Sequence, residues 1–388
     1  MQSNPHRWFG VGQSRAADSA KAGAEAAAEA IGGRTPKAVF LFCSVSHDLP
    51  ALVAAVRAEA GPDAVIAGTT TMGELGSDGT STGGVAVAAL GGDGFTVQAR
   101  VARVDPHDPR AAGVAVAEAL HGMHDEHRVL VLLCDGLIKR PHEVVRGAYS
   151  AAGATVPLVG GLGADDRSFS RTYQFYGDEV INGAVVGLAL GSDGPIGIGV
   201  AHGWRRIEPP MVVTKSQGAH IYQLDDQPAL DVLLRRHNFT GTAEEFFNRS
   251  LSLQPLGLSR RSGEDIRVLH AGSDEERSVW GTADVPQGAL VWPMEGDRRA
   301  MLDGAVSSCA EAISQLDGLA PLGALLFDCG GRRAGLSENG ADLEDEITVI
   351  RRGLGDAPFA GCYTLGEIAR VRGALGMHAL TLVTLALA

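Results

Sequence analysis

Short apolar runs bounded by glycine recur along this chain, and between them lie stretches in which apolar residues return every three or four positions. The first pattern predicts buried strands and the second amphipathic helices. Three segments share one plan. The first opens on Ala38-Val-Phe-Leu-Phe-Cys43, continues as a helix over about 49–60, then gives Ala64-Val-Ile-Ala67 and the loop Gly68-Thr-Thr-Thr-Met-Gly-Glu74. A glycine pair, Gly83-Gly84, then opens a strand over 85–90. The second has Val129-Leu-Val-Leu-Leu-Cys134, a helix over about 141–152, Val156-Pro-Leu-Val159, the loop Gly160-Gly-Leu-Gly-Ala-Asp-Asp166 and a strand over 183–190. The third has Ala324-Leu-Leu-Phe-Asp-Cys329, a helix near 343–353, Ala357-Pro-Phe-Ala360, the loop Gly361-Cys-Tyr-Thr-Leu-Gly-Glu367 and a strand over 379–387.

The first and third loops align residue by residue. Ala67-Gly-Thr-Thr-Thr-Met-Gly-Glu-Leu75 lies over Ala360-Gly-Cys-Tyr-Thr-Leu-Gly-Glu-Ile368, keeping Ala-Gly, a threonine, Gly-Glu and a final aliphatic. This is an internal repeat of strand–helix–strand–loop–strand. Helices alternating with buried strands imply an α/β fold of mixed sheets covered by helices, in two interlocked domains. Between the second and third repeats the pattern changes. Strands are expected over 196–200, 211–216 and 266–270, a short helix over 228–236, and a polar connecting excursion over 237–265. Asp297 is the expected N-cap of a long amphipathic helix ending near 316. A domain boundary is expected near 215–225.

Composition narrows the function classes. Glycine supplies 52 of 388 residues, about 13%, without a G-X-Y period, so it marks strand ends and close backbone approaches rather than collagen. The net charge of −13 offers no attraction to nucleic acid or to an anionic lipid surface. No apolar stretch approaches the ~20 residues of a membrane helix, and the first residues carry no apolar segment of signal-peptide type. Cys43, Cys134, Cys309, Cys329 and Cys362 form no CxxC pair. An odd, sparse set argues for reduced thiols and a cytoplasmic location.

Candidate chemistry concentrates where strands end, the place where α/β sheets hold ligands. Cys43, Cys134 and Cys329 close equivalent strands, as small buried residues at a strand–helix junction would. Cys329 is singled out by Asp328 and the turn Cys329-Gly-Gly-Arg332. Arg332 has the reach and fork geometry to grip a carboxylate; the alternative is an exposed turn arginine. Glu74 and Glu367 end the duplicated loops. Glu74 is expected to cap backbone N–H groups, while Glu367 is either such a cap or an acceptor for an ammonium group. Tyr363 and Thr364 add hydroxyls. The 160–166 loop lacks the spacing and lysine of a nucleotide-binding loop, so Asp165, Asp166 and Arg167 are read as an Asx-bonded turn. His202, in Gly199-Val-Ala-His-Gly-Trp204, is a half-buried histidine or a ligand to haem iron. His378 opens the last strand beside the third loop. No HExxH or His/Cys cluster supports zinc, and no GxSxG elbow supports a serine hydrolase.

These pieces together resemble the FIST family, sensory proteins with a FIST N-terminal and a FIST C-terminal domain. The matching stretches are 68–74, 160–166, Gly199-Val-Ala-His-Gly-Trp204 with Val213-Thr-Lys-Ser216, Tyr222-Gln-Leu-Asp-Asp-Gln-Pro-Ala-Leu230, Phe327-Asp-Cys-Gly-Gly-Arg332 and Gly361-Cys-Tyr-Thr-Leu-Gly-Glu-Ile368. The resemblance implies an N-terminal extension with a first helix over 1–35, a FIST N-type domain over 36–218 and a FIST C-type domain over 219–388. It also implies a small-ligand sensor, with amino acids proposed as ligands, working alongside a histidine kinase or a diguanylate cyclase. One branch of the family binds haem and responds to nitric oxide. The family tends to have His-Asn where this chain has His378-Ala379.

The expectation is therefore a sensor for an amino acid or similar small carboxylate, in a pocket surrounded by the three repeats. Arg332 would clamp the carboxylate, Glu367 would accept from the ammonium, and Tyr363, Thr364, Cys329 and His378 would complete the site. No cofactor or metal is expected in this reading. The alternatives are a haem b sensor using His202 or His378, and an enzyme with Cys329 or Cys362 as nucleophile or Glu367 as general acid/base.

Overall fold

Strands such as β2 (Ala38–Ser44) are buried along their whole length, because each has a layer on both faces. Ala38, Phe40 and Phe42 point to one core, while Val39, Leu41 and Cys43 point to another. That two-sided burial is why the run reads as continuously apolar rather than alternating. The structure is a computed structural model and describes residues 7–248, 254–260, 263–338, 340, 343–371 and 376–388.

Around such strands the chain builds the same unit three times. The first comprises β1 (Trp8–Ser14), α1 (Ser19–Ile31), β2, α2 (Leu49–Ala60), β3 (Val65–Thr71), an arm of β4 (Glu74–Gly76) and β5 (Gly79–Ser81), and a return strand β6 (Val85–Gly91). The second comprises β7 (Phe95–Arg103), α3 (Pro109–Ala117), β8 (His127–Cys134), α4 (Pro141–Ala152), β9 (Leu158–Leu162), the arm β10 (Gln174–Tyr176) and β11 (Glu179–Ile181), and β12 (Ala184–Ser192). The third starts with β13 (Ile196–Ala201) and is then interrupted. The interruption holds β14 (Trp204–Arg206), β15 (Met211–Gln217), β16 (His220–Leu224), β17 (Gln227–Pro228), α5 (Ala229–Arg236), α6 (Ala243–Asn248), β18 (Gln254–Arg260), β19 (Gly263–Ser273), β20 (Ser278–Gly281) and β21 (Leu290–Gly296). The unit resumes with α7 (Arg298–Ser314), β22 (Gly323–Cys329), α8 (Gly330–Glu338), α9 (Leu343–Leu354), β23 (Phe359–Thr364), the arm β24 (Glu367–Arg370) and β25 (Met377–His378), and β26 (Leu382–Leu387).

Each unit forms its own sheet around a parallel pair, β2 with β3, β8 with β9 and β22 with β23. The arms do not stay home. β4 pairs with β23 of the third unit, β10 with β3 of the first, and β24 with β9 of the second. Every sheet thus lends a hairpin to one neighbour and borrows one from the other, a cyclic exchange that interlocks the chain. The inner faces of the three sheets meet in one core containing Phe42, Leu133, Leu188, Phe327 and Leu385, with Phe42 and Phe327 edge to face at 6.0 Å. The helices cover the outer faces.

The shared hollow expected between the repeats is therefore filled. Apolar side chains from all three sheets occupy it, and burying them is the main gain available to a fold of this kind. The interruption forms a separate body. Its strands follow the order β21-β15-β16-β20-β19-β18, and β18 pairs back onto β21, closing a ring. This barrel has a core of its own around Leu224, Leu230, Phe246 and Leu269.

The helices expected over 49–60 and 141–152 have those bounds, and Asp297 caps α7 through the Ala300 N–H. Among the described residues, β1 pairs with β6 and α1 packs on β1 and α2, and position 218/219 lies on the turn between β15 and β16, which pair as a hairpin inside the barrel. One expectation is corrected. The stretch after Cys329 is a helix rather than a turn.

The repeated Ala-Gly of the loops also finds its reason. A Cβ on Gly68, Gly160 or Gly361 would collide with the backbone carbonyl oxygen of Leu41, Leu132 or Leu326. These are equivalent positions on β3, β9 and β23, each against its parallel neighbour, so the repeat keeps glycine where two backbones approach most closely.

Candidate functional site

In the first two units the edge strand runs into its helix by a short link, Ser14 to Ser19 and Arg103 to Pro109. In the third, the whole barrel stands between Ala201 and Arg298. Where barrel meets body a cleft of ≈ 1020 Å³ opens. Its walls are the end of β13 with His202 and Trp204, the barrel residues Glu264 and Asp265, the face of α7 carrying Asp303, Ser307 and Glu311, and the arm residues Ala369 and His378 with Thr381.

Thr381 is the floor of interest. Its hydroxyl donates to Glu367 Oε2 at 2.8 Å and its N–H donates to the same oxygen at 3.2 Å. Thr364 donates to Oε1 at 2.8 Å. Glu367 itself is fully buried. Burial pushes its carboxyl up to about 7, against the hydrogen bonds from Thr381, Thr364 and Cys329 that favour the anion. Glu74 sits at the equivalent place in the first arm, also fully buried, accepting from Thr71, Ser81 and the Gly84 N–H. Both glutamates staple an arm to its return strand. Glu367 does so under the cleft, through Thr381.

The histidines line the cleft. His202 accepts the Trp204 N–H at its Nδ1, 2.9 Å away, so the neutral ring carries its proton on Nε2. His378 Nε2 lies 2.9 Å from the Ala369 carbonyl oxygen and donates to it, leaving Nδ1 as an acceptor. Burial lowers both pKa values, and each ring is neutral at pH 7. The Trp204 indole N–H is buried in the cleft wall without a hydrogen-bond partner.

Arg332 has another task than the one expected. It is fully buried and its Nη1 bonds both Asp328, at 2.9 Å to Oδ2, and Glu346. Its Nη2 donates to the Met301 carbonyl oxygen at 2.5 Å. Two carboxylates of the chain take the place of a ligand's, and the guanidinium ties α8 to β22, α9 and α7. Its pKa is raised by these two anions, which outweigh the desolvation that would lower it. Tyr363 is likewise buried and donates to Glu346 at 3.2 Å, so it faces this ion cluster and not the cleft. Thr364 and Cys329 lie beneath the floor with Glu367. Of the expected ligand set, the structure brings His378 to the cleft surface, beside His202 of the haem alternative, and places Glu367, Thr364 and Cys329 one layer below.

The thiols expected as possible nucleophiles are sealed. Cys329 and Cys362 are buried, and burial pushes both well above the ordinary thiol range, away from the thiolate a nucleophile needs. For the haem alternative the cleft offers two imidazoles, His202 and His378, each with one ring nitrogen engaged by backbone, and lining acids of which Glu264, Asp265 and Asp303 are paired with Arg206, Arg267 and Arg299. No set of His, Cys, Asp and Glu side chains arranged to hold a metal ion occurs among the described residues.

Sequence reasoning missed Glu264, Asp265, Ser307, Glu311 and Thr381. The signal that leads to them is the break in the repeat at 202–297, since a ring-like unit interrupted once creates a seam at that point.

Comparison with known proteins adds an independent line. The profile of the FIST N domain matches residues 37–227 and that of the FIST C domain matches residues 229–370. An uncharacterised protein of Mycobacterium tuberculosis is 29% identical over 96% of this chain and 97% of its own length. An uncharacterised protein of Methanocaldococcus jannaschii is 24% identical over 50% of this chain and 39% of its own length.

Proposed function

The chain belongs to the FIST family, with both the N and the C domain, and from that premise we propose that it senses a small polar metabolite of amino-acid size in the cleft between barrel and body. FIST domains are associated with small-ligand sensing in signal transduction. The observation that carries the reading is the placement of the cleft, at the one unit whose edge strand and helix are split by an inserted barrel. A ligand there touches both bodies at once. Its binding energy biases their relative placement, which is what a sensor needs to pass a signal on.

The lining supports a small polar guest. Pockets of this kind combine apolar surface with a few converging polar groups, and here Val200, Ala201, Ala300 and Ala369 alternate with Ser307, Thr381, His202 and His378. Readout passes to a separate partner, a histidine kinase or a diguanylate cyclase. Among the described residues no helix is long and apolar enough to cross a membrane.

Calorimetric titration with a panel of amino acids tests the reading, run on the native chain and on Ser307→Trp. Ser307 is exposed on the cleft face of α7, so the indole fills the cleft without entering a core. The expected result is micromolar to millimolar binding lost in the variant. Binding that survives in Ser307→Trp overturns the assignment of the cleft.

A further inference from the structure

We infer that the loops following β8 and β9 form a docking face for a partner protein, and that this face takes an acidic amphipathic helix with Phe169 as the apolar anchor. The inference concerns a surface away from the cleft and stands whether or not the cleft is the ligand site.

β8 and β9 are parallel neighbours with Cys134 beside Leu162, so their following loops leave the same end of the sheet. The two backbones approach so closely that a Cβ on Gly136 would collide with the Gly163 carbonyl oxygen. Asn182 ties them together, donating to Asp135 in the first and to the Thr172 carbonyl oxygen at the end of the second. The first loop exposes Leu137, Lys139 and Arg140, the second the run from Asp166 to Arg171. Phe169 is 61% exposed, more than any other large apolar side chain among the described residues, and Leu137 joins it at 37%. The second loop is held in place from below. Asp165 is fully buried and accepts from the Ser168 hydroxyl and from the N–H groups of Phe169, Ser170 and Arg171. Arg167 at φ 77° and Phe169 at φ 49° lie in the left-handed region, which residues with a Cβ avoid unless their surroundings impose it. One buried carboxylate thus fixes a strained loop whose phenylalanine faces solvent. A loop already set in shape loses little entropy when a partner closes over it.

Charge selects the partner. Lys139, Arg140, Arg167 and Arg171 accompany the two apolar side chains, and none of the four forms an ion pair with another described residue; Arg140 donates to the carbonyl oxygens of Pro106 and His107. Of the carboxylates in the two loops, Asp135 and Asp165 are buried and engaged by N–H and hydroxyl groups. Asp166 is the exposed acid against four exposed cations. The chain as a whole carries −13, so this face stands out from an acidic background. Guanidinium forks with free N–H groups match carboxylates, and arginine beside a bulky aromatic is the composition of interface hot spots. The complementary surface is apolar in the middle and acidic at its margins, which an amphipathic helix with an apolar stripe flanked by glutamates supplies. A bilayer or a nucleic acid is also anionic, but it extends past the patch and meets repulsion from the rest of the molecule. A single helix touches the patch alone.

The probe is a fluorescently labelled peptide of leucine and glutamate in amphipathic register, about four helical turns long, titrated with the full chain at low salt and followed by anisotropy. Because the rest of the chain repels an acidic peptide, binding reports this face. The expected result is saturable binding that weakens about tenfold or more in Phe169→Ser, and likewise in the double variant Arg167→Ser with Arg171→Ser. Phe169→Leu, which keeps an apolar anchor, should retain most of it. These positions are exposed, so the substitutions leave the cores intact. No binding of the peptide, or equal binding by the native chain and the serine variants, overturns the inference. Phosphatidylglycerol vesicles or single-stranded oligothymidylate bound more tightly than the peptide, with the same dependence on Phe169, would overturn the helix as occupant and give the face to that anionic surface.

Discussion

Thr381 lines the cleft and donates its hydroxyl to the buried carboxyl of Glu367 across 2.8 Å, so one residue links a solvent-filled space to a titrating group in the core. The equivalent glutamate of the first unit, Glu74, makes the same kind of staple with Ser81 and Gly84. The repeat thus supplies the carboxylate twice, and the barrel makes one copy accessible to a ligand's field.

The titration of Glu367 sets a pH dependence of stability. Its folded pKa, about 7, lies above the ordinary 4.5. A carboxyl raised on folding stabilises fully below about pH 4.5, and that contribution is lost as pH rises to about 7. At 1.36 kcal/mol per unit the loss amounts to about 3 kcal/mol. Urea unfolding at pH 5 and pH 8 should show Glu367→Gln gaining on the native chain by that order between the two. Equal pH slopes in both proteins would refute the assignment.

Removing Arg332 should unfold rather than merely disarm the protein. Arg332→Met leaves Asp328 and Glu346 buried together without their cation, a change that costs about 3–5 kcal/mol. The midpoint of urea denaturation should fall accordingly. A variant with native stability and lost ligand binding would instead restore Arg332 to the ligand site.

Gly361→Ala should destabilise by about 1–3 kcal/mol, because the new methyl meets the Leu326 carbonyl oxygen, backbone that cannot swing aside. The same holds for Gly68→Ala against Leu41. Thermal melts of the two variants should drop together. No shift in either would show that β3 and β23 can move apart at no cost.

The barrel should prove dispensable for folding and indispensable for sensing. Replacing residues 202–297 by a link as short as that between β1 and α1 leaves the three-sheet core intact and removes one wall of the cleft. Near-ultraviolet circular dichroism should report a cooperative, native-like body, with ligand binding gone. A molten product would mean that contacts such as Trp204 and Met301 with Leu336 hold the third unit together.

Local pattern by itself determined the alternation of strands and helices, the duplicated Gly-Glu loops and the α/β class, since burial on two faces writes continuous apolar runs and burial on one writes helical periodicity. It also singled out Glu367, His202 and His378, because a glutamate after Gly and a histidine at a strand end stand out against an apolar background. Long-range packing decided the rest. Which sheet each arm joins depends on pairings between β4 and β23 or β24 and β9, far apart in the chain, and no local period records them. Arg332 looked available because its partner Glu346 lies on another helix, and only the fold brings the two together. The cleft likewise exists as a relation between two bodies: Glu264 and Thr381 are unremarked polar residues until the barrel, inserted at 202–297, is set against the arm of the third unit.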